Sequence, residues 1–217
     1  MFKYLKNNSL KFFFDKSFVI SFFFSTITSL TLFYLSQDQN LWFKFWASLS
    51  IPPQPPFSDL KAHIHYYNCF QNGIDIFVNE CPLIPEGTGK ISTHPKIWLY
   101  FVDFLNLKNE FLYNSFVIGT YIFYFFAISR LFFLFKNFQS RIFLLIFLFS
   151  TSNFILIERF ATDIIIFLIV YLILNIRFYI FKFFLIFFGI LLKYYPLFLT
   201  ILFIERKKLI LLATVIF

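Results

Sequence analysis

Charge is what this sequence has least of. Of its 217 residues only 14% are charged, against 59% hydrophobic. A water-soluble fold of this size has too little polar surface to cover that much apolar side chain, so lipid must be the solvent for much of it. Glycine is scarce as well, five in all, and no glycine-rich run of the kind that cradles a nucleotide phosphate is present. The three histidines and two cysteines are few, and their spacing with Asp59 fits no closed zinc motif, so neither a metal nor another cofactor is expected. No small-residue cleavage site follows the first apolar run, so a retained anchor is expected there in place of a cleavable signal peptide. Basic residues outnumber acidic ones 19 to 11. Nucleic acid is still a poor fit as partner, because the basic residues cluster at the ends of apolar runs, where topology determinants sit.

What is abundant is phenylalanine, at 40 residues. This reads as compositional bias in filling apolar positions rather than as an aromatic ligand box. The apolar runs describe an all-α polytopic membrane protein. Residues 1–16, with Lys3, Lys6, Lys11 and Lys16, read as a cytoplasmic tail, and residues 17–35 as the first transmembrane helix. Residues 36–112 read as a large extracytoplasmic loop, and residues 113–217 as about four further membrane segments, the last incomplete. Within that region a span over 113–135 runs inward to Lys136 and Arg141. One over 142–157 returns outward, and one over 164–176 comes in to Arg177 and Lys182. Residues 183–204 lie between two basic clusters that both favour the cytoplasm, and Lys193-Tyr194-Tyr195-Pro196 interrupts them. Either two short helices form a part-way hairpin there, or one cluster departs from the rule. The run from Leu209 to Phe217 is too short for a bilayer, which takes about 20 residues in a helix, so the chain reads as truncated.

The polar loop holds most of the candidate chemistry. Trp42 and Trp46 suit an interfacial helix, as do Trp98 and Tyr100 in a second one over 96–107. Pro52, Pro53, Pro55 and Pro56 force an extended stretch, after which residues 59–71 can form a short helix ending at the Asn72-Gly73 turn. Asp59 stands where an acid can act as a general base on the outer face, although its spacing alone favours the plainer role of starting a helix. Glu158, Arg159 and Asp163 share a short outer turn. There an arginine fork can hold a phosphate, or the charges can pair among themselves. Lys193, inside an apolar run, is either a functional cation or one that snorkels to the interface. Cys69 and Cys81 are placed to form a disulfide if the loop is outside.

Taken together, Phe57-Ser58-Asp59, Gly73-Ile74-Asp75-Ile76-Phe77, His94-Pro95, Glu158-Arg159-x-x-x-Asp163 and Lys193-Tyr194-Tyr195-Pro196 resemble motifs of the GT-C class of membrane glycosyltransferases. More narrowly, their order resembles the polyprenyl-phosphate-mannose-dependent α-mannosyltransferase branch. The chain departs from that pattern at His94, where tyrosine is usual, and at Phe160, where a small residue is common. The resemblance implies a GT-C-like helical bundle whose large first extracytoplasmic loop carries interfacial helices. It implies an inverting transfer of a mannose-like hexose from a polyprenyl-phosphate sugar to a glycolipid or glycan acceptor. Asp59 would be the catalytic base, and Glu158, Arg159, Asp163, Lys193, Tyr195 and His94 would bind substrate. Its setting would be the lipid bilayer of a bacterial inner membrane, with the amino terminus cytoplasmic and the site outside. A transporter or flippase fragment, or a non-catalytic assembly subunit, are the competing readings.

Overall fold

The computed structural model describes residues 16–82, 92, 95–176 and 178–193, and among them every regular element is a helix. His94, Tyr195, Pro196, the tail before Lys16 and the second half of the expected 183–204 hairpin lie outside the described residues. The described residues fall into two compact units, one taking those up to Lys61 and Asn106–Ile164, the other Ala62–Leu105 and those from Ile165 onward.

The first unit is built on two long apolar helices, α1 (Lys16–Ser36) and α5 (Glu110–Leu134), the two described helices long and apolar enough to cross a membrane on their own. They pack antiparallel. The start of α1 meets the end of α5 through the Arg130 guanidinium, which donates to Ser17 Oγ at 2.6 Å. Ser129 donates to Ser21 at 3.0 Å, and Phe18 sets its ring edge-on to Phe126. The buried face of α1 is Ser21, Ser25 and Ser29, one every fourth residue and each 0% exposed, while Phe23 is 62% exposed. A helix in water would reverse that pattern. Small residues inside and large apolar ones outside is the pattern of helices that associate in lipid, where close backbone approach rather than hydrophobic burial holds them together.

Between these two helices the chain turns at Asp38, whose carboxylate accepts the Asn40 and Leu41 amides and so caps α2 (Gln39–Ser48). Trp42 and Trp46 are 0% and 2% exposed. They stack edge-on with each other and reach Phe57 and Phe154. They are core residues, not the interfacial anchors that their place in the sequence favours.

The stretch read as a single span over 142–157 is two helices, α6 (Phe138–Leu148) and α7 (Thr151–Arg159), bent by 53° at the break. Ser150 explains it. Its extended backbone and side chain cap α7, accepting the Asn153 amide at 3.2 Å, so the helix restarts instead of continuing. None of the residues of α6 is buried. Arg141 at its start donates from Nε to the Phe135 carbonyl at 2.7 Å and lies over the Phe132 ring.

The second unit holds most of α3 (Ser58–Gln71), with α4 (Ile97–Phe104), α8 (Asp163–Asn175) from Ile165 onward and α9 (Tyr179–Leu192). Its core joins Trp98 of α4 to Ile166, Ile169 and Ile173, a single face of α8, and to Ile186 and Leu192 of α9. With 13 and 14 residues, α8 and α9 are only about 20 Å long at 1.5 Å per residue, short of a full bilayer core. The first arm of the expected hairpin thus begins at Tyr179 rather than at residue 183 and ends just before Lys193. Cys69 and Cys81 form the expected disulfide. It closes a loop whose turn uses Gly73 at φ +80, a left-handed conformation natural to glycine.

Candidate functional site

The site starts from a backbone with very few donors. Proline has no amide N–H, so residues 52–57 (Pro-Pro-Gln-Pro-Pro-Phe) carry only two, those of Gln54 and Phe57. Both go to one residue. The Gln54 amide donates to Glu158 Oε1 at 2.6 Å, and the Phe57 amide reaches the Glu158 carbonyl at 3.4 Å. The Gln54 carbonyl in turn accepts the Trp42 indole N–H at 3.2 Å. An extended proline segment is thereby pinned at both of its donors.

Glu158 itself is 0% exposed. A buried carboxylate costs several kcal/mol unless it is hydrogen-bonded or paired. Oε1 is satisfied by Gln54. Oε2 makes no hydrogen bond and lies 3.6 Å from Nε of Arg159, which is likewise buried without a hydrogen bond. The Arg159 side chain remains about one-third exposed (35%), so its guanidinium reaches the surface beside an internal negative charge. Asp59, in the first turn of α3, is half-buried and close enough to Glu158 for their charges to interact.

Two phenylalanines in left-handed conformation flank these charges: Phe57 with φ 59 and Phe160 with φ 53. Phe160 closes α7 in a Schellman arrangement. Its amide reaches the Ile157 carbonyl, and the Ala161 amide reaches back to Leu156. Glycine is the usual residue there, and a non-glycine side chain costs about 1–2 kcal/mol. The ring offsets this by packing. Phe160 is 1% exposed and contacts Phe57, Phe116 and Tyr121, and aromatic pairs add about 0.5–1.5 kcal/mol each beyond their burial. The departure seen at this position in the sequence is thus where the two charged stretches are locked together. α5 holds α7 in place from the other side, with the Tyr121 hydroxyl donating to the Ile157 carbonyl and that of Tyr124 to Asn153 Oδ1.

Asp59, Glu158 and Arg159 are brought together. The sequence reading placed Glu158, Arg159 and Asp163 in one turn. In the structure the first two end α7, Asp163 opens α8, and only residues 160–162 separate the helices. Asp163 falls in the same unit. Lys193 belongs to the other unit, half-buried on extended backbone just after α9, its amide bonded to the Gly189 carbonyl at 2.9 Å. His63 is buried with its ring stacked on Trp98 at 4.7 Å. Among the described residues no group of three or more His, Cys, Asp or Glu is placed to hold a metal ion. Trp42, Gln54 and Tyr121 were missed as site residues. Gln54 had a signal, being the one amide-bearing residue inside a run of prolines. Tyr121 had none. Comparison of the chain with protein-family models, with curated proteins and with solved structures found no match.

Proposed function

We propose that this chain is an integral membrane glycosyltransferase that moves a hexose from a polyprenyl-phosphate sugar to a hydroxyl of a glycolipid or glycan on the extracytoplasmic face. The observation that carries the reading is the convergence of Asp59 with Glu158 and Arg159, about a hundred residues apart in the sequence, on a pinned and water-poor element of an apolar protein. In this reading Asp59, the more accessible carboxylate, takes the proton of the acceptor hydroxyl. The freed oxygen attacks the anomeric carbon from the face opposite the phosphate. The bond from that carbon to the phosphate oxygen breaks with its electron pair, giving a lipid phosphate and an inverted sugar linkage. The exposed end of Arg159 balances the charge that develops on the departing phosphate, as a planar fork of donors does well. The cytoplasmic amino terminus and the bacterial inner-membrane setting belong to the same proposal. The orientation is the one that the lysines before α1 favour under the positive-inside rule.

The test is transfer from a labelled polyprenyl-phosphate sugar in membranes, comparing the protein with its Asp59→Asn variant. Loss of a general base removes on the order of 10²–10⁴-fold in rate. A fall of that size with unchanged protein abundance supports the reading. Equal transfer by both variants moves the base away from Asp59. Absence of transfer by the unaltered protein with every donor tried leaves the scaffold or transporter reading in its place.

A further inference from the structure

We propose that Glu158 is a positioning residue: it clamps residues 54–57 to the end of α7 and so fixes where Asp59 stands, instead of touching substrate itself. The sequence pattern alone favours a ligand role for this acid. The geometry points elsewhere. Glu158 is fully buried, and it takes up both amides available in the six-residue proline segment, one through its carboxylate and one through its carbonyl. Trp42 closes the ring of contacts by holding the Gln54 carbonyl. From the second of these anchors, at Phe57, only Ser58 separates the clamp from Asp59. Phe57 is itself held at positive φ against Phe160 and Tyr121, so the peptide entering α3 has little freedom once both amides are tied. The acid's other oxygen faces the Nε of Arg159, and the same side chain therefore bears on both groups proposed to meet the substrate. The clamp is a feature of the fold, while its consequence for transfer rests on the proposed reaction.

The experiment uses hydrogen exchange on the full chain in detergent, followed by transfer assays, for Glu158→Gln and Glu158→Ala. The proline segment simplifies the first measurement, because a peptide covering residues 52–57 reports on the amides of Gln54 and Phe57 alone. A glutamine keeps an oxygen that can accept from Gln54; alanine keeps none. The expected result is slow exchange in the unaltered protein and in Glu158→Gln. In Glu158→Ala the Gln54 amide should exchange at least about tenfold faster, as expected for a lost hydrogen bond to a charged acceptor, while Phe57 keeps its bond to the backbone carbonyl. In the transfer assay the alanine variant should lose kcat on the order of a hundred-fold, the scale of a misplaced catalytic group, with KM little changed. The glutamine variant should restore most of that loss. If exchange is the same in all three proteins, or as fast in Glu158→Gln as in Glu158→Ala, the clamp is overturned. If Glu158→Gln exchanges slowly yet has lost transfer or raised KM, the carboxylate acts on substrate and the positioning role is overturned. Should exchange follow the expected order while the unaltered protein transfers no sugar, the clamp stands and the glycosyltransferase reading fails. Where Glu158→Ala does not fold, Trp42→Phe, which removes the indole donor to Gln54, should speed exchange in the same peptide.

Discussion

At the scale of single residues, hydrogen-bond supply explains more than charge does. Tyr67 of α3 is buried and donates to Asp103 Oδ1, and Gln71 donates to its oxygen at 3.0 Å. The Asp103 carboxylate, with a further contribution from burial, raises the phenol above its ordinary value of 10.0. A folded-state value above the unfolded one means that the interaction stabilises the fold below about pH 10 and is lost as pH rises through the folded value. Tyr67→Phe should therefore lower the melting temperature at about pH 7, and its deficit against the unaltered protein should shrink as the pH is taken above 10. Thermal melts across that range check it, and a deficit independent of pH would assign the loss to packing alone. Why Asp59, Glu158 and Arg159 meet was partly legible in the sequence, because charges at the ends of apolar runs are costly and need partners. That Glu158 would be spent on backbone amides was not legible, since nothing local marks a proline segment and a distant helix end as neighbours.

At the scale of elements, local signals served well and tertiary ones less so. The bounds of α1 and α5 fall within a few residues of those read from hydropathy, and the proline stretch, the helix after it and the Asn72-Gly73 turn appear where turn and breaker chemistry puts them. The break between α6 and α7 escaped notice because a serine cap inside an apolar run looks like any tolerated polar residue. The two tryptophans of α2 misled for a different reason. Amphipathic rings suit a membrane interface and a buried corner equally, and only the fold decides between them. The serine seam of α1 was overlooked too, though its spacing of four was in plain view. It carries a prediction: Ser25→Leu places a large side chain where a hydroxyl now sits at 0% exposure. Such overpacking costs about 1–3 kcal/mol, and thermal unfolding in detergent should register it. A leucine at Phe23, which is well exposed, should be close to neutral in the same assay.

For the whole molecule, the unusual distribution of burial says most. Serines are covered on α1 while phenylalanines lie bare on α1, α6 and α9, which suits an apolar surrounding. If residues 36–112 lie outside, the disulfide of Cys69 and Cys81 lies outside with them. These are the only two cysteines in the sequence. In intact cells a membrane-impermeant maleimide should label the chain only after reduction, and should do so without permeabilising the membrane. Labelling that appears only after permeabilisation would reverse the proposed orientation.

The hydroxyls of α1 carry a consequence for how the chain is made. Synthesis proceeds from the amino end, so α1 is complete more than 70 residues before α5 begins to emerge. During that interval the face that will later meet α5 has no partner. Yet Ser25, Thr26, Thr28, Ser29 and Thr31 each donate to a carbonyl three or four residues back in their own helix, at 2.7–2.9 Å. The helix therefore brings these five hydroxyls into lipid already satisfied and can wait there alone, ready for a neighbour that fits against its narrowest side.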